Sequence, residues 1–430
     1  MCGEKVSQNM DSTNDYTYSH DTTAWITGAD LASRKKLGQY MTPRETADLL
    51  IEKLGTIPET AHFLDPSAGT GELLAAAARV HPHAQLTGWE IDPHVAQHAR
   101  QHIPAASIIT VDSLHEPANP IFDIVVGNPP FFEFSPDTAT KNAYSDVIAG
   151  RANIYGLFFK VGLQALKPGG TLAYIVPPSM NTGAYFNKLR TYILQHATIE
   201  SLNIIVKHDM FDQAQVIIQM IVLKKRHTPL SAQSIPENGP HHYTYDNART
   251  GRSHYRKTFF CENPQPLQSY FTAPGSSNLA DLGYTVKTGT ITWNEHTKNL
   301  GNDPSAPGAK QLFWSKDIAA DNTLTPSEKI RYRHVISPVW ETGPAILSNR
   351  IVGTVGKPSV RFAHVPEGVE FLAENHVNVI QPTAGEQQLL PIADVHKKLC
   401  GTDFSNILKT VTGSTQLSSK ELNYLLRIKH

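Results

Sequence analysis

The fold of this chain is decided by one stretch, which reads Val125-Val126-Gly127-Asn128-Pro129-Pro130-Phe131-Phe132. The apolar run over residues 121–126, interrupted only by Asp123, predicts a buried parallel strand. Neither of the two prolines can donate a hydrogen bond to a sheet, so the strand must end there. The stretch therefore predicts a rigid loop at the carboxyl end of a strand, where open α/β sheets bind their ligands.

The chemistry of this loop suits a flat substrate that carries an amino group. The Asn128 carboxamide oxygen and a neighbouring backbone carbonyl can each accept one N–H bond, while an aromatic ring stacks on the flat face. Gly, Asn and Pro are also ordinary turn residues, so the loop alone fits a plain strand-ending turn as well. A glycine-rich loop upstream of it favours the ligand-binding interpretation.

Composition places the chain among ordinary globular proteins. Its 430 residues are 40% hydrophobic and 18% charged, which allows two or three domains. No apolar run is long enough for a transmembrane helix, and the polar residues 1–20 predict no secretory signal. The cysteines Cys2, Cys261 and Cys400 lie far apart and show no paired spacing, which predicts a reducing compartment and argues against a zinc site. The net charge of −1 does not by itself indicate a nucleic-acid binder.

The glycine-rich loop predicts a nucleotide-like cofactor. A predicted strand over 62–64 leads into Asp65-Pro66-Ser67-Ala68-Gly69-Thr70-Gly71, and an Ala/Leu-rich helix follows over 72–79. Such glycines let backbone N–H groups approach a ligand at a helix N-terminus. Leu74 stands where the dinucleotide fingerprint has its third glycine, which disfavours NAD. Asp65 would repel a pyrophosphate but pair with a ligand ammonium.

Two further predicted strands end in acids. The strand over 85–91 carries Glu90, close to the ~20-residue spacing after the glycine loop at which an acid binds ribose hydroxyls. The strand over 106–111 leads into Asp112, which is placed to accept from an adenine amino group. The carboxyl ends of parallel strands share one edge of a sheet, so these acids and Asn128 predict one continuous crevice.

The remaining elements continue an alternation of helices and strands. Residues 1–33, rich in Asp, Ser, Thr, Asn and Tyr, predict a flexible arm with no assigned role. Thr42, Pro43 and Glu45 match a helix N-cap with a capping box, although the loop over 38–43 could also line a pocket. Downstream, the sequence predicts a mobile loop over 141–151, helices over 153–166 and 181–196, and strands over 171–176, 199–206 and 216–223.

A change of composition predicts a domain boundary near 225–245. We therefore divide the chain into an arm (1–33), a cofactor-binding catalytic domain (34–230) and a β-rich domain (231–430). Basic residues beside Tyr, Trp, Asn and Gln suit phosphate contacts and base-edge hydrogen bonds, although a solvated surface explains the patches equally well. The candidate DNA-binding residues are Arg252, Arg256, Lys257, Lys287, Trp293, Arg331, Arg333 and Lys357.

The ordered motifs resemble the gamma-class DNA adenine-N6 methyltransferases of Type II restriction–modification systems. The resemblance covers roughly residues 35–225, with the cofactor motifs first, the catalytic motif next and the recognition domain last. It is carried by Gly38-Gln39-Tyr40-Met41-Thr42-Pro43, Asp65 to Gly71, Glu90-Ile91-Asp92-Pro93, Asp112, Asn128-Pro129-Pro130-Phe131, Asn153-Ile154-Tyr155-Gly156, Lys167-Pro168-Gly169-Gly170 and Met210-Phe211. Residues 288–293 and 371–380 resemble the target-recognition domain of the family less specifically.

The resemblance implies a Rossmann-like, seven-stranded, mostly parallel sheet with one antiparallel strand, followed by a β-rich DNA-reading domain. It implies S-adenosylmethionine as the cofactor and no metal. The implied partners are double-stranded DNA and a cognate restriction endonuclease, with the protein acting as a monomer. The implied location is the bacterial cytoplasm, in association with the nucleoid. The implied cofactor residues are Thr42 at the methionine part, Asp65, Pro66, Ser67 and Gly69 at the floor, Glu90 at the ribose and Asp112 at the adenine amino group, with Ile91, Ser113 and Asn128 as further contacts. The implied catalytic residues are Asn128, Pro129 and Pro130 at the target amino group, and Phe131 and Phe211 against a flipped base.

Several other functions share parts of this pattern. Asn-Pro-Pro-aromatic motifs also serve RNA and protein-glutamine methyltransferases, but a C-terminal domain of ~200 residues exceeds what a small substrate requires. Cytosine-N4 methyltransferases usually carry Ser in place of Asn128. A non-catalytic, cofactor-gated DNA-binding subunit would need neither Asn128 nor Phe131. A fused nuclease would need a further domain of ~150 residues, for which the sequence leaves no room.

Overall fold

The computed structural model describes residues 18–28, 41–117, 119–205, 217–247, 255–350, 353–354, 357–411 and 416–429. The chain divides into two compact units. The first unit contains the residues up to Pro178 together with Lys188–Ile235, and the second contains Ser179–Asn187 and Pro236–His430.

The elements of the first part of the chain alternate between helices and strands. The helices are α1 (His20–Gly28), α2 (Arg44–Glu52), α3 (Glu72–Val80), α4 (Pro93–His102), α5 (Thr138–Ala143), α6 (Ile154–Ala165) and α7 (Asn187–His196). The strands are β1 (His62–Asp65), β2 (Gln85–Glu90), β3 (Ser107–Thr110), β4 (Phe122–Gly127), β5 (Glu133–Phe134), β6 (Ala152–Asn153), β7 (Leu166–Val176), β8 (Ala197–Ile205) and β9 (Ile218–Lys225).

Seven of these strands form one twisted sheet in the order β3-β2-β1-β4-β7-β9-β8. Strand β9 runs antiparallel to both of its neighbours, and the other pairings are parallel. This arrangement confirms the fold that the resemblance implied. The strand order reverses between β1 and β4, and open α/β sheets bind ligands at such a switch point. Asp65 ends β1 and Asn128 follows β4, so both residues flank it.

The strand ahead of the Asn-Pro-Pro motif is buried on both faces, as its apolar run predicts. Ile124 is 2% exposed, and Val125 and Val126 are fully buried. Gly88 of β2 lets Leu74 of α3 pack closely on this sheet, since a Cβ added at Gly88 would lie 3.1 Å from Leu74 Cδ1.

Two predicted elements are wrong in detail. Helix α2 begins at Arg44 with Pro43 as its N-cap and no side-chain cap, because the Thr42 hydroxyl accepts a hydrogen bond from Asn128 instead. The helix predicted over 181–196 begins only at Asn187, after short 3₁₀ turns at Pro178–Asn181 and Ala184–Phe186.

The segment over 141–151, expected to be a mobile loop, is held by side-chain contacts. Helix α5 occupies its start, and Asp137 caps that helix by accepting from the Thr140 N–H at 2.8 Å. Lys160 Nζ then donates to Asp146 at 2.8 Å and to the Ala143 carbonyl at 2.8 Å. These contacts fix a segment whose polar composition alone indicated mobility.

The second unit is β-rich, as predicted. Its main sheets have the orders β14-β24-β19-β22 and β15-β17-β16-β23-β18, and three helices near the C-terminus pack on the first of these. The helices are α8 (Gln265–Phe271), α9 (Ile392–Cys400), α10 (Ser405–Val411) and α11 (Ser419–Leu425). The strands are β10 (Asn238–Gly239), β11 (His242–Asp246), β12 (Arg256–Phe260), β13 (Ser276–Asn278), β14 (Tyr284–Thr288), β15 (Leu300–Gly301), β16 (Ala309–Phe313), β17 (His334–Ile336), β18 (Glu341–Thr342), β19 (Ala345–Asn349), β20 (Gly353–Thr354), β21 (Lys357–Pro358), β22 (Phe362–Val365), β23 (Glu370–Ala373), β24 (Val377–Pro382) and β25 (Arg427–Lys429).

The packing of α6 on β7 yields a prediction about Gly162. A Cβ at this position would lie 2.5 Å from the Tyr174 hydroxyl and 2.6 Å from Leu172 Cδ1. Alanine normally favours a helix over glycine by about 1 kcal/mol, but overpacking here should lower the free energy of unfolding by roughly 1–3 kcal/mol. We expect Gly162→Ala to lower the melting temperature, whereas Gly301→Ala, which meets nothing within 4 Å, should not. A melting temperature for Gly162→Ala at or above that of the parent protein would contradict this packing.

Candidate active site

A cavity of about 270 Å³ lies where β1, β2, β3 and β4 end. All ten residues that the sequence predicts as cofactor contacts line it. They are Thr42, Asp65, Pro66, Ser67, Gly69, Glu90, Ile91, Asp112, Ser113 and Asn128. The cavity therefore brings together residues that lie far apart in the sequence. Thr42 and Asn128, which are 86 positions apart, are joined by a hydrogen bond.

The glycine-rich loop takes its shape from two left-handed residues. Gly69 has φ +54° and Gly71 has φ +92°, a region that glycine enters without steric penalty. The Gly71 N–H donates to the Ala68 carbonyl at 2.8 Å, which closes the turn. The Gly69 N–H donates to Glu90 Oε2 at 2.9 Å, so the end of β2 holds the loop that follows β1.

Two buried carboxyl groups form one wall of the cavity. Asp65 is 1% exposed, and its Oδ1 accepts from the Ser67 N–H at 2.9 Å. Burial raises the pKa of Asp65 to about 7, and the nearby charge of Glu90 adds to the effect. Burial also raises the pKa of Glu90, against the backbone N–H bonds from Asp92 and Gly69. Such a wall attracts a cation, because a positive charge beside it favours both ionised carboxylates.

The loop after β3 is tied to the glycine-rich loop and to its own backbone. The buried Ser113 hydroxyl donates to the Pro66 carbonyl. Asp112 Oδ1 accepts from the Leu114 N–H at 3.0 Å, and Asp112 Oδ2 lies 2.8 Å from His115 Nδ1. The side chain of Asp112 is 39% exposed, so its carboxylate is accessible at the rim of the site.

Asn128 is positioned from the N-terminal side of the domain. Its Nδ2 donates to the Thr42 hydroxyl at 3.1 Å, and Thr42 is 7% exposed. This bond directs the amide nitrogen toward Thr42, so the carboxamide oxygen is the end that can accept from a substrate. Beneath the loop, a Cβ at Gly127 would lie 2.9 Å from the ring of Tyr174, so only glycine fits there.

The aromatic residues after the prolines divide between two environments. Phe132 and Pro130 line the cavity, and so do Ile154 and Phe158 of α6. Of these four, only Pro130 was predicted from the sequence as a site residue. Phe131 is half-buried and packs edge-on against Tyr155 with 6.1 Å between ring centroids. Phe131 and the buried Pro129 are not among the residues that line the cavity. Phe211, the other predicted base contact, lies outside the described residues.

The sequence held only a partial signal for the missed residues. Phe132 directly follows the motif, but which of two adjacent rings faces a cavity depends on the rotation of the loop. Trp89, Met41 and Thr70 also line the cavity, and each adjoins a residue that was predicted.

Two of the predicted DNA-binding residues have their charged groups held by carboxylates of the same chain. Lys257 is 4% exposed, and its Nζ lies 2.7 Å from Glu421 Oε1, so this ammonium stabilises the second unit instead of facing a phosphate. Arg333 is likewise occupied, by Asp317 Oδ1 at 2.7 Å and by the Ser327 carbonyl. The interpretation of Lys257 and Arg333 as phosphate contacts is therefore corrected.

The remaining DNA-binding candidates divide by exposure. Arg256, Lys287, Trp293 and Arg331 are accessible, with Trp293 half exposed. Arg252 and the side chain of Lys357 lie outside the described residues.

Among the described residues, no three His, Cys, Asp or Glu side chains form a group that could hold a metal ion. No helix in the described ranges is both long and apolar enough to cross a membrane.

Comparison with known proteins places this site in context. Residues 86–211 match the family model described as Eco57I restriction-modification methylase. The chain is 25% identical over 403 residues to modification methylase CviBIII of Paramecium bursaria Chlorella virus NC1A, which covers 91% of this chain and 94% of that protein. It is 29% identical over 190 residues to Type II methyltransferase M.CvrRI of Paramecium bursaria Chlorella virus XZ-6E, and it spans only 48% of that relative.

A third similarity covers a smaller part of the chain. A tRNA1(Val) (adenine(37)-N6)-methyltransferase of Porphyromonas gingivalis is 39% identical over 134 residues, which cover 29% of this chain and 51% of that protein.

The sheet, the cavity and these similarities define the chain as an S-adenosylmethionine-dependent methyltransferase. More particularly, it is related to the methylases of restriction–modification systems, whose family model it matches over residues 86–211.

The raised pKa of Asp65 predicts how pH affects stability. The folded protein holds this proton up to about pH 7, whereas the ordinary pKa is 3.8. Between these pH values the folded state binds more protons at Asp65 than the unfolded state does. The free energy of unfolding therefore falls as pH rises, and the full destabilising effect is present above pH 7. The test compares the melting temperatures of Asp65→Asn and the parent protein without cofactor. The variant should melt at a higher temperature relative to the parent at pH 8 than it does at pH 5. An identical difference at both pH values would contradict the raised pKa.

Proposed function

We propose that this chain is a site-specific DNA methyltransferase that methylates N6 of a flipped-out adenine. It would be the modification half of a restriction–modification system, acting as a monomer beside a cognate endonuclease. The observation that carries the proposal is the position of Asn128. Its carboxamide, oriented by Thr42, lines the same cavity as the buried carboxyls of Asp65 and Glu90.

The cavity fits S-adenosylmethionine, which supplies a methyl group on a cationic sulfonium. Asp65 would receive the ammonium of the methionine part, since its buried carboxyl becomes more readily ionised beside a positive charge. Glu90 would accept from the ribose hydroxyls and Asp112 from the adenine amino group. Ile91 is 64% exposed at the cavity wall, which suits contact with the flat adenine ring.

The chain would activate its acceptor by positioning. The amino lone pair of adenine is delocalised into the ring, so this nitrogen is a poor nucleophile. The Asn128 oxygen and the Pro129 carbonyl would accept the two amino hydrogens and draw the nitrogen toward tetrahedral geometry. No general base is needed before transfer, because orientation and electrostatic stabilisation lower the barrier. An adenine must leave the duplex to reach this site, where Phe132 lines the cavity and the neighbouring Phe131 would be the second ring to pack against the base.

The choice of DNA over RNA follows from the extent of the similarity. The modification methylase CviBIII resembles this chain over 91% of its length, and so over both units, whereas the tRNA methyltransferase resembles only 29% of it. The adenine-N6 activity named for that tRNA enzyme supports the same acceptor chemistry at Asn128. The second unit would read the DNA sequence, and its accessible Arg256, Lys287, Trp293 and Arg331 are the proposed contacts.

The role of Asn128 predicts the behaviour of a single variant. Asn128→Ala removes the acceptor oxygen and should lower the rate of methyl transfer by roughly 10²–10³-fold or more, as removal of a single polar group from an active site does. Binding of S-adenosylhomocysteine, measured by calorimetry, should change little. The matched control is Asn142→Ala, an exposed residue of α5, which should leave transfer unchanged. Full activity of Asn128→Ala would exclude this mechanism.

The proposed substrate predicts where labelled methyl groups go. Incubation with labelled S-adenosylmethionine and unmethylated duplex DNA should label the DNA, and nucleoside analysis should find N6-methyladenine within one sequence motif. Label in RNA or protein but not in DNA would keep the cofactor and overturn the substrate. N4-methylcytosine as the product would overturn the choice of base.

A further inference from the structure

The segment over residues 18–28, which we call the N-terminal strap, contacts the glycine-rich loop. Thr22 is fully buried, and its hydroxyl oxygen lies 2.6 Å from that of Thr70. The Ser19 N–H donates to Glu72 Oε1 at 2.9 Å. Both Thr70 and Glu72 line the cofactor cavity, so the strap contacts two residues of the cavity wall.

Thr70 in turn joins the strap to other parts of the site. Its hydroxyl also donates to Met41 Sδ at 3.5 Å, and its carbonyl lies 2.9 Å from His102 Nδ1. Met41 Sδ lies 3.6 Å from the point that a Cβ of Gly69 would occupy. The residue after Met41 is Thr42, which positions Asn128. A continuous series of contacts therefore runs from the strap through the loop to Asn128.

The loop needs such a restraint. Gly69 and Gly71 have many conformations available before folding, so fixing both in left-handed geometry carries a large loss of entropy. The buried hydroxyl pair between Thr22 and Thr70 restrains the loop at a second point, next to the Gly69 N–H that Glu90 already holds. A loop fixed before the cofactor arrives loses less entropy on binding, which increases affinity.

We propose that the N-terminal strap holds the glycine-rich loop in its cofactor-binding conformation, with Thr22 as a positioning residue. The composition of residues 1–33 predicted a flexible arm with no assigned role. For residues 18–28, this proposal assigns a role. The proposal rests on cofactor binding and not on which molecule accepts the methyl group.

The test compares three threonine variants by calorimetric titration with S-adenosylhomocysteine. Thr22→Val keeps the side-chain volume but removes the hydroxyl, and it should weaken binding by roughly three- to tenfold, the effect of one hydrogen bond. Thr22→Ser restores the hydroxyl and should bind like the parent protein. Thr27→Val makes the same change at an exposed position of the same helix and should bind normally.

A second measurement separates loop ordering from general loss of stability. Amide hydrogen exchange at Gly69 and Gly71 without cofactor should become faster in Thr22→Val, while exchange in β4 stays as in Thr27→Val. Unchanged affinity and unchanged loop exchange in Thr22→Val would overturn the proposal, as would equal acceleration throughout the first unit. Failure of DNA methylation alone would bear only on the substrate, because neither measurement uses DNA.

Discussion

The shape of the site depends on the buried carboxylate of Glu90. Its Oε2 accepts from the Gly69 N–H and its Oε1 from the Asp92 N–H, each at 2.9 Å. One side chain thus joins the loops that follow β1 and β2. Burial works against this charge and raises the pKa of Glu90, whereas the two N–H bonds stabilise the ionised form. A carboxylate held in this way is available to a ligand without further reorganisation.

The other predicted ligand residues have the same double role. Ser113 joins the loop after β3 to Pro66, and Asn128 joins the loop after β4 to Thr42. The contacts that shape the cavity are made by the residues that would bind its ligands. For Glu90 and Ser113, which join loops of the cofactor cavity, conservative replacements are therefore needed to separate changes of geometry from lost ligand contacts.

The sequence predicted the sheet and the cavity lining because both depend on local patterns, namely apolar runs that end in acids, glycine or proline. It could not predict features that depend on distant contacts. Lys257 belongs to a basic patch, but its partner Glu421 lies 164 positions away. The helix over His20–Gly28 has a polar composition, and its buried contacts become visible only in the folded domain. Whether Phe131 or Phe132 lines the cavity depends on a loop rotation that no local pattern records.

The most direct test of this account is a crystal structure of the protein bound to S-adenosylhomocysteine. The account predicts the ligand ammonium at Asp65, the ribose hydroxyls at Glu90 and the sulfur facing the carboxamide of Asn128. That arrangement would place the methyl donor and the acceptor site in one cavity. A ligand bound elsewhere, or one whose sulfur points away from Asn128, would contradict the central claim.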